Sequence, residues 1–159
     1  MTSELARVNM KEVTPEAAYN KMAALCSLSE HAESDIRERL QKAALSDVEV
    51  QKIIDRLYDE DYINTSRYCR AFAHDRLRFA HWGRVKIQQA LRMKGLPQSD
   101  IKEAIDNLPA DEYIAALQAT LQQKARSLGD EDEYTRRAKL IRFAAARGFT
   151  PSEILDELG

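Results

Sequence analysis

A chain of 159 residues with 44% hydrophobic content is long enough to bury a core, which excludes full disorder. Only five Gly and four Pro stand among many Ala, Leu, Glu, Lys, Arg and Gln, and β-branched residues rarely alternate with polar ones, which excludes a sheet protein and predicts an all-α fold. The net charge of −2 argues against a polyanionic partner only until it is divided: residues 1–66 hold eight Lys/Arg and 13 Asp/Glu, residues 67–94 eight and one, and residues 95–159 eight and 12.

Helix punctuation gives the elements in order. Thr14-Pro15, a cap followed by Pro at the first helical position, opens a helix through about Leu28. Ile36 and Leu40 mark a second helix, and Val50, Ile53, Ile54 and Leu57 a third that begins near Ser46-Asp47 and ends around YDEDYIN. Further helices are predicted over Thr65 to Ala80, Gly83 to Lys94, Ser99 to Leu108, Asp111 to Ser127, Glu131 to Arg147, and Ser152 to Leu158.

Nine helices fall into three groups of three, and the groups align. Shifted back 51 positions, Ile87, Leu91, Leu96, Ile101, Ile105 and Leu108 land on Ile36, Leu40, Leu45, Val50, Ile54 and Leu57. Shifted forward 53, Lys94-Gly95-Leu96 lands on Arg147-Gly148-Phe149, as expected if the glycine takes a left-handed C′ position and the next apolar residue packs back on its helix. Units this small bury too little surface alone and must stack. The expected architecture is an elongated array of three tandem three-helix repeats: an N-terminal extension over 1–13, then repeats over 14–63, 64–109 and 110–159.

Signatures of catalysis are hard to find: no phosphate-binding glycine loop, GxSxG, HExxH or paired-cysteine motif occurs. Cys69 and His74 are five apart on one helix and read as a packed thiol and a surface imidazole; His81 is placed two turns beyond His74 on that helix. The GDEDE run at 129–133 reads as acids at a helix N-terminus, where the macrodipole favours them. No catalytic residue, cofactor or metal ligand set is expected. Cys26 and Cys69 fit a reducing compartment, and the first 20 residues contain no apolar run, so a cytoplasmic protein with no membrane contact is expected.

The basic segment carries the functional prediction. Arg76, Arg78, Arg84, Lys86, Arg92 and Lys94 are interleaved with Phe72, Phe79 and Trp82, and Arg84, Gln88 and Arg92 share one stripe beside the core positions Ile87 and Leu91. Phe79 and Trp82 read as core aromatics at a helix junction. Arg136, Arg137, Lys139, Arg142 and Arg147 repeat the pattern, partly offset by the acids before them. A polyanion or an acidic protein groove is the natural partner of such a surface.

The stretch GRVKIQQALRMKGL, with Gly83, Lys86, Ile87, Leu91, Lys94, Gly95 and Leu96, resembles the Gly-x-x-[Arg/Lys]-Ile-x-x-x-Leu-x-x-Lys-Gly-[Ile/Leu] core of the RecX family. LYDEDYINTSRYCRAFAHDRLRFAHWG and RFAAARGFTPSEILDEL resemble the segments on either side, so the likeness spans about residues 18–158. Where the family usually has an aspartate in the linking segment, this chain has Asn64-Thr65, which can also cap a helix. The resemblance implies a monomeric, non-catalytic regulator that lodges in the groove of the RecA recombinase filament on single-stranded DNA and inhibits ATP hydrolysis, strand exchange and co-protease activity. The eleven cations named above would form the contact surface, with single-stranded DNA as a second candidate partner. The competing expectation is a helical DNA-binding module that acts without RecA.

Overall fold

The computed structural model describes residues 13–159, so the N-terminal extension, apart from Val13, lies outside the described residues. Nine α-helices and no strand occur among the described residues: α1 (Pro15–Leu28), α2 (Glu33–Gln41), α3 (Asp47–Asp59), α4 (Thr65–Ala80), α5 (Arg84–Met93), α6 (Gln98–Asp106), α7 (Ala110–Ser127), α8 (Glu133–Ala146) and α9 (Pro151–Leu158). Among these residues no helix is long and apolar enough to cross a membrane. The chain packs as two compact units, one ending at Tyr68 and one running from Cys69 to Gly159.

The helix starts follow the capping chemistry. Thr14 accepts from the Ala17 amide, and Ser46 and Thr150 each form a reciprocal capping box with a glutamate three residues on. Asn64 Oδ1 accepts from the Arg67 amide at 2.8 Å, so it does the work expected of the family's aspartate. Asp132 of the GDEDE run caps α8 by accepting from the Thr135 amide at 2.7 Å.

The helix stops are as informative. Gly95 (φ 78°) and Gly148 (φ 98°) are both left-handed, and the Leu96 and Phe149 amides reach back to the Leu91 and Ala144 carbonyls at 3.3 Å. The aligned Gly-[Leu/Phe] pairs are therefore one Schellman stop used twice. One expectation fails here: His81 is not on the helix of His74. It takes φ 53°, ending α4 at Ala80, and the Trp82 amide folds back to the Arg76 carbonyl at 3.1 Å.

In the first unit, α1 and α2 both pack on α3, and Tyr19, Met22, Ile36, Leu40, Val50, Ile53, Ile54 and Leu57 form the core. The hydroxyl of Tyr19 donates to Glu60, and the Arg56 guanidinium lies 3.6 Å from the centre of its ring. In the second unit α5 packs on α6, while α8 packs on α7 and α9. Ile87, Leu91 and Ile101, which the repeat alignment marks as recurring apolar positions, are fully buried, as are Ala144 and Ile154, which stand 53 positions beyond Leu91 and Ile101.

Tyrosines whose hydroxyls are held above their ordinary value, Tyr19 and Tyr113 among them, make this fold sensitive to alkaline pH. Burial first, then the hydrogen bond to Glu60, pushes the Tyr19 hydroxyl up to about 12; burial and then Glu153 do the same for Tyr113. Because the folded value is raised above the unfolded value of about 10, the stabilisation is complete below that pH and is lost as pH rises toward 12. The melting temperature should fall steeply between about pH 10 and pH 12, and Tyr19→Phe should flatten part of that slope. A fall equally steep in the variant would show that Tyr19 is not a source of it.

Candidate interaction surface

Spacing along α5 decides what its cations do. Arg84 and Lys86 are two residues apart, so at ~100° per residue they point to opposite sides of the helix. Arg84 is drawn inward. Its amide donates to the Tyr113 hydroxyl at 3.0 Å, which itself donates to Glu153 Oε2 at 2.6 Å, while Arg84 Nε pairs with Glu153 Oε1 at 2.6 Å. The guanidinium also lies 5.0 Å from the centre of the Tyr113 ring. Three residues from α5, α7 and α9 thus form one polar clamp between the second and third repeats.

Lys86 goes the other way. Its Nζ sits 4.6 Å from the centre of the Trp82 ring, and Arg76 Cζ lies 5.1 Å from that ring and 4.9 Å from Phe72. Phe72 and Trp82 meet edge to face with centroids 6.3 Å apart. At the C-cap of α8, Arg147 Cζ lies 4.5 Å from the centre of the Phe143 ring, and Lys124 of α7 approaches that ring at 5.4 Å. Stacking on a ring organises a cation without neutralising it, which sets these residues apart from ion-paired ones.

The two cation-aromatic clusters are brought together by a backbone contact. The Gly83 amide donates to the Arg147 carbonyl at 2.7 Å, and the Val85 amide to the Gly148 carbonyl at 2.9 Å. The amides of the cap residue and second residue of α5, which have no partner within that helix, are thus satisfied by the two carbonyls that follow α8. Neither glycine has room for a side chain: a Cβ on Gly83 would overlap the Gly148 carbonyl, and one on Gly148 would lie 2.5 Å from Lys86 Cβ. Gly83 is thus a docking residue for the third repeat, a role its place at the head of a cationic helix does not announce.

The remaining sequence-named cations divide. Arg78 pairs with Glu112 at 3.1 Å, beside His74, whose Nε2 is 3.1 Å from the other Glu112 oxygen. Lys139 pairs with Glu131 at 3.0 Å, and Arg137 donates to the Gly159 carbonyl at 3.4 Å. Arg92 is exposed and donates to Gln98 at 3.3 Å; Lys94 is half-buried at the end of α5. Arg136 is half-buried and Arg142 exposed, and neither has an ion-pair partner among the described residues.

Two readings of individual residues need correction or sharpening. Phe79 is not a core aromatic: it is 78% exposed, because the chain turns out of α4 just after it and no described element covers that side of the helix. Trp82 does sit at the helix junction, but half-buried rather than in the core. Cys69 is fully buried and its thiol is pushed up to about 11 by burial, so it is a packing residue and a poor nucleophile.

Comparison with known proteins agrees with this architecture. The RecX second three-helix domain matches residues 66–105, and the RecX third three-helix domain matches residues 111–156. A regulatory protein RecX of Ralstonia nicotianae is 30% identical over 124 residues, covering 78% of this chain and 75% of the relative. The chain belongs to the RecX family. A regulatory protein RecX of Prosthecochloris aestuarii is 29% identical over 152 residues, covering 94% of this RecX-family chain and 98% of its own. A crystal structure of regulatory protein RecX matches with a TM-score of 0.80 at 22% identity, over 98% of this chain and 78% of that one, and so shares the all-α array of three-helix repeats.

Proposed function

We propose that this chain regulates the RecA recombinase by binding its filament on single-stranded DNA, lodging in the filament groove and inhibiting ATP hydrolysis, strand exchange and co-protease activity. The observation that carries the proposal is the joined pair of cation-aromatic clusters on the second and third repeats of a RecX-family chain, with Arg76, Lys86 and Arg147 stacked but not neutralised. Arg92, Arg136 and Arg142 extend that charge, whereas Arg78, Arg84, Arg137 and Lys139 serve chiefly to hold helices together. The groove of a nucleoprotein filament offers acidic side chains and phosphates to the same cations, and stacked cations reach such a partner without first breaking an ion pair. The protein acts by contact and requires no cofactor.

The test is titration of the protein into RecA, single-stranded DNA and ATP. ATP hydrolysis and strand exchange should both fall as the protein is added; unchanged rates at saturating protein would refute the proposal. Tight, steeply salt-dependent binding to duplex DNA without RecA would favour a DNA-binding module instead.

A further inference from the structure

On the Arg84 side of α5 the second unit has a groove of about 590 Å³ between α6, α7 and α9. Its floor is apolar, with Ile105, Leu117 and a 47% exposed Ile114. Its rim is acidic, with Asp106, Asp156 and Glu157. Lys102 neutralises Asp106, and Arg84 neutralises Glu153 in the groove wall. Asp156 and Glu157 are left over: Asp156 has no partner among the described residues, and Glu157 accepts only from the neutral Gln118. Both stand in the last turn of α9, which holds no basic residue, so they oppose the negative end of the helix dipole. This site lacks a cation, and its floor lacks an apolar cover.

The same unit presents the complement. Met93, 90% exposed, is the last residue of α5 and follows the exposed Arg92. An unbranched thioether beside an exposed guanidinium is a flexible apolar anchor with the charge that the groove lacks. It cannot fill its own groove, because Arg84 of the groove wall and Met93 are the first and last residues of one ten-residue helix, ~14 Å apart along its axis.

We propose that the groove seats the Met93 end of α5 from a second copy of the chain, so that copies associate head to tail. Such a contact joins two different patches and does not close on itself, so it adds copies in an open row. It departs from the monomer expected from the sequence and does not depend on any recombinase. One anchor and one exposed charge bury much less than the ~800 Å² per partner of a stable complex, so the association is weak and depends on concentration.

Sedimentation velocity of the protein alone, at low salt and from about 10 to about 500 μM, tests this. The average mass should climb with concentration past that of two chains and return toward one chain in about 0.5 M salt. Asp156→Lys/Glu157→Lys and Arg92→Ala/Met93→Ala should each abolish the climb, with folding checked by circular dichroism; Lys suits the end of α9. Mixed together, the two variants should form a complex of one copy each and grow no further, since one supplies the groove and the other the anchor. A constant one-chain mass for the unmodified protein would overturn the proposal, as would self-association of either variant or failure of the mixture to combine. An unrelated cationic peptide with a Met anchor that binds the groove of a protein otherwise monomeric at every concentration would assign the groove to another partner and also overturn it.

Discussion

Gly148→Ala should lose about 3 kcal/mol or more of stability, the sum of a strained left-handed backbone and an overpacked contact. The position has φ 98°, and the new methyl group would lie 2.5 Å from Lys86 Cβ and 2.6 Å from the Lys86 amide nitrogen. Relief requires α8 to withdraw from α5, which breaks the hydrogen bonds from Gly83 and Val85 to the Arg147 and Gly148 carbonyls. Gly83→Ala meets backbone on the other side of the same contact and should also lose stability, by about 1–3 kcal/mol, because it carries overpacking without backbone strain. Gly95→Ala is the control. It shares the left-handed conformation with φ 78° but faces open space, so it should cost only the conformational penalty of about 1–2 kcal/mol. Thermal unfolding of the three variants checks the order. Equal losses at Gly95 and Gly148 would mean that the close approach contributes nothing.

The second large effect is on function. Arg76→Glu, Lys86→Gln and Arg142→Glu together should weaken recombinase inhibition by at least about tenfold, which is ~1.4 kcal/mol, while leaving the melting temperature nearly unchanged. These side chains stack on rings or reach solvent, and none of them holds an ion pair among the described residues. Lys86→Gln keeps most of the stem that packs beside Gly148. Arg84→Ala should do the reverse. It removes the 2.6 Å pair with Glu153 and the cover over Tyr113, costing about 1–2 kcal/mol for a half-exposed pair, yet inhibition per folded molecule should hold. Loss of inhibition by folded Arg84→Ala, with the triple variant unaffected, would move the contact surface to the groove side of α5.

The contrast between Arg84 and Lys86 also marks how far the sequence could be read. Apolar periodicity, caps and Gly stops are local, and they placed the helices, the recurring buried positions and the family. The bounds of α1 and α4 come out as predicted, and the other predicted ends differ from the observed ones by no more than about two residues. Asp132 and Asn64 cap as their types suggest. What a cation pairs with depends on residues from other helices, and composition carries no such signal. Arg84 and Glu153 are 69 positions apart, and Tyr113, which ties them, reads as an ordinary core tyrosine. The Gly83–Gly148 contact left a faint trace, because both glycines flank helices in aligned repeats, but only the tertiary packing distinguishes a docking glycine from a stop. Phe79 shows the opposite limit: a large aromatic on a helix predicts burial, and among the described residues this one has no element to bury it.

Trp82 is the sole tryptophan of the chain and stands between Arg76 and Lys86 at the centre of the proposed surface. Fluorotryptophan-labelled protein therefore gives a single fluorine resonance that reports on that surface alone. Added to RecA filaments on single-stranded DNA, at a protein level where ATP hydrolysis is inhibited, the resonance should shift and broaden beyond the effect of DNA without recombinase. An unchanged resonance from protein that is demonstrably inhibiting the filament would contradict the placement of the contact on the second and third repeats.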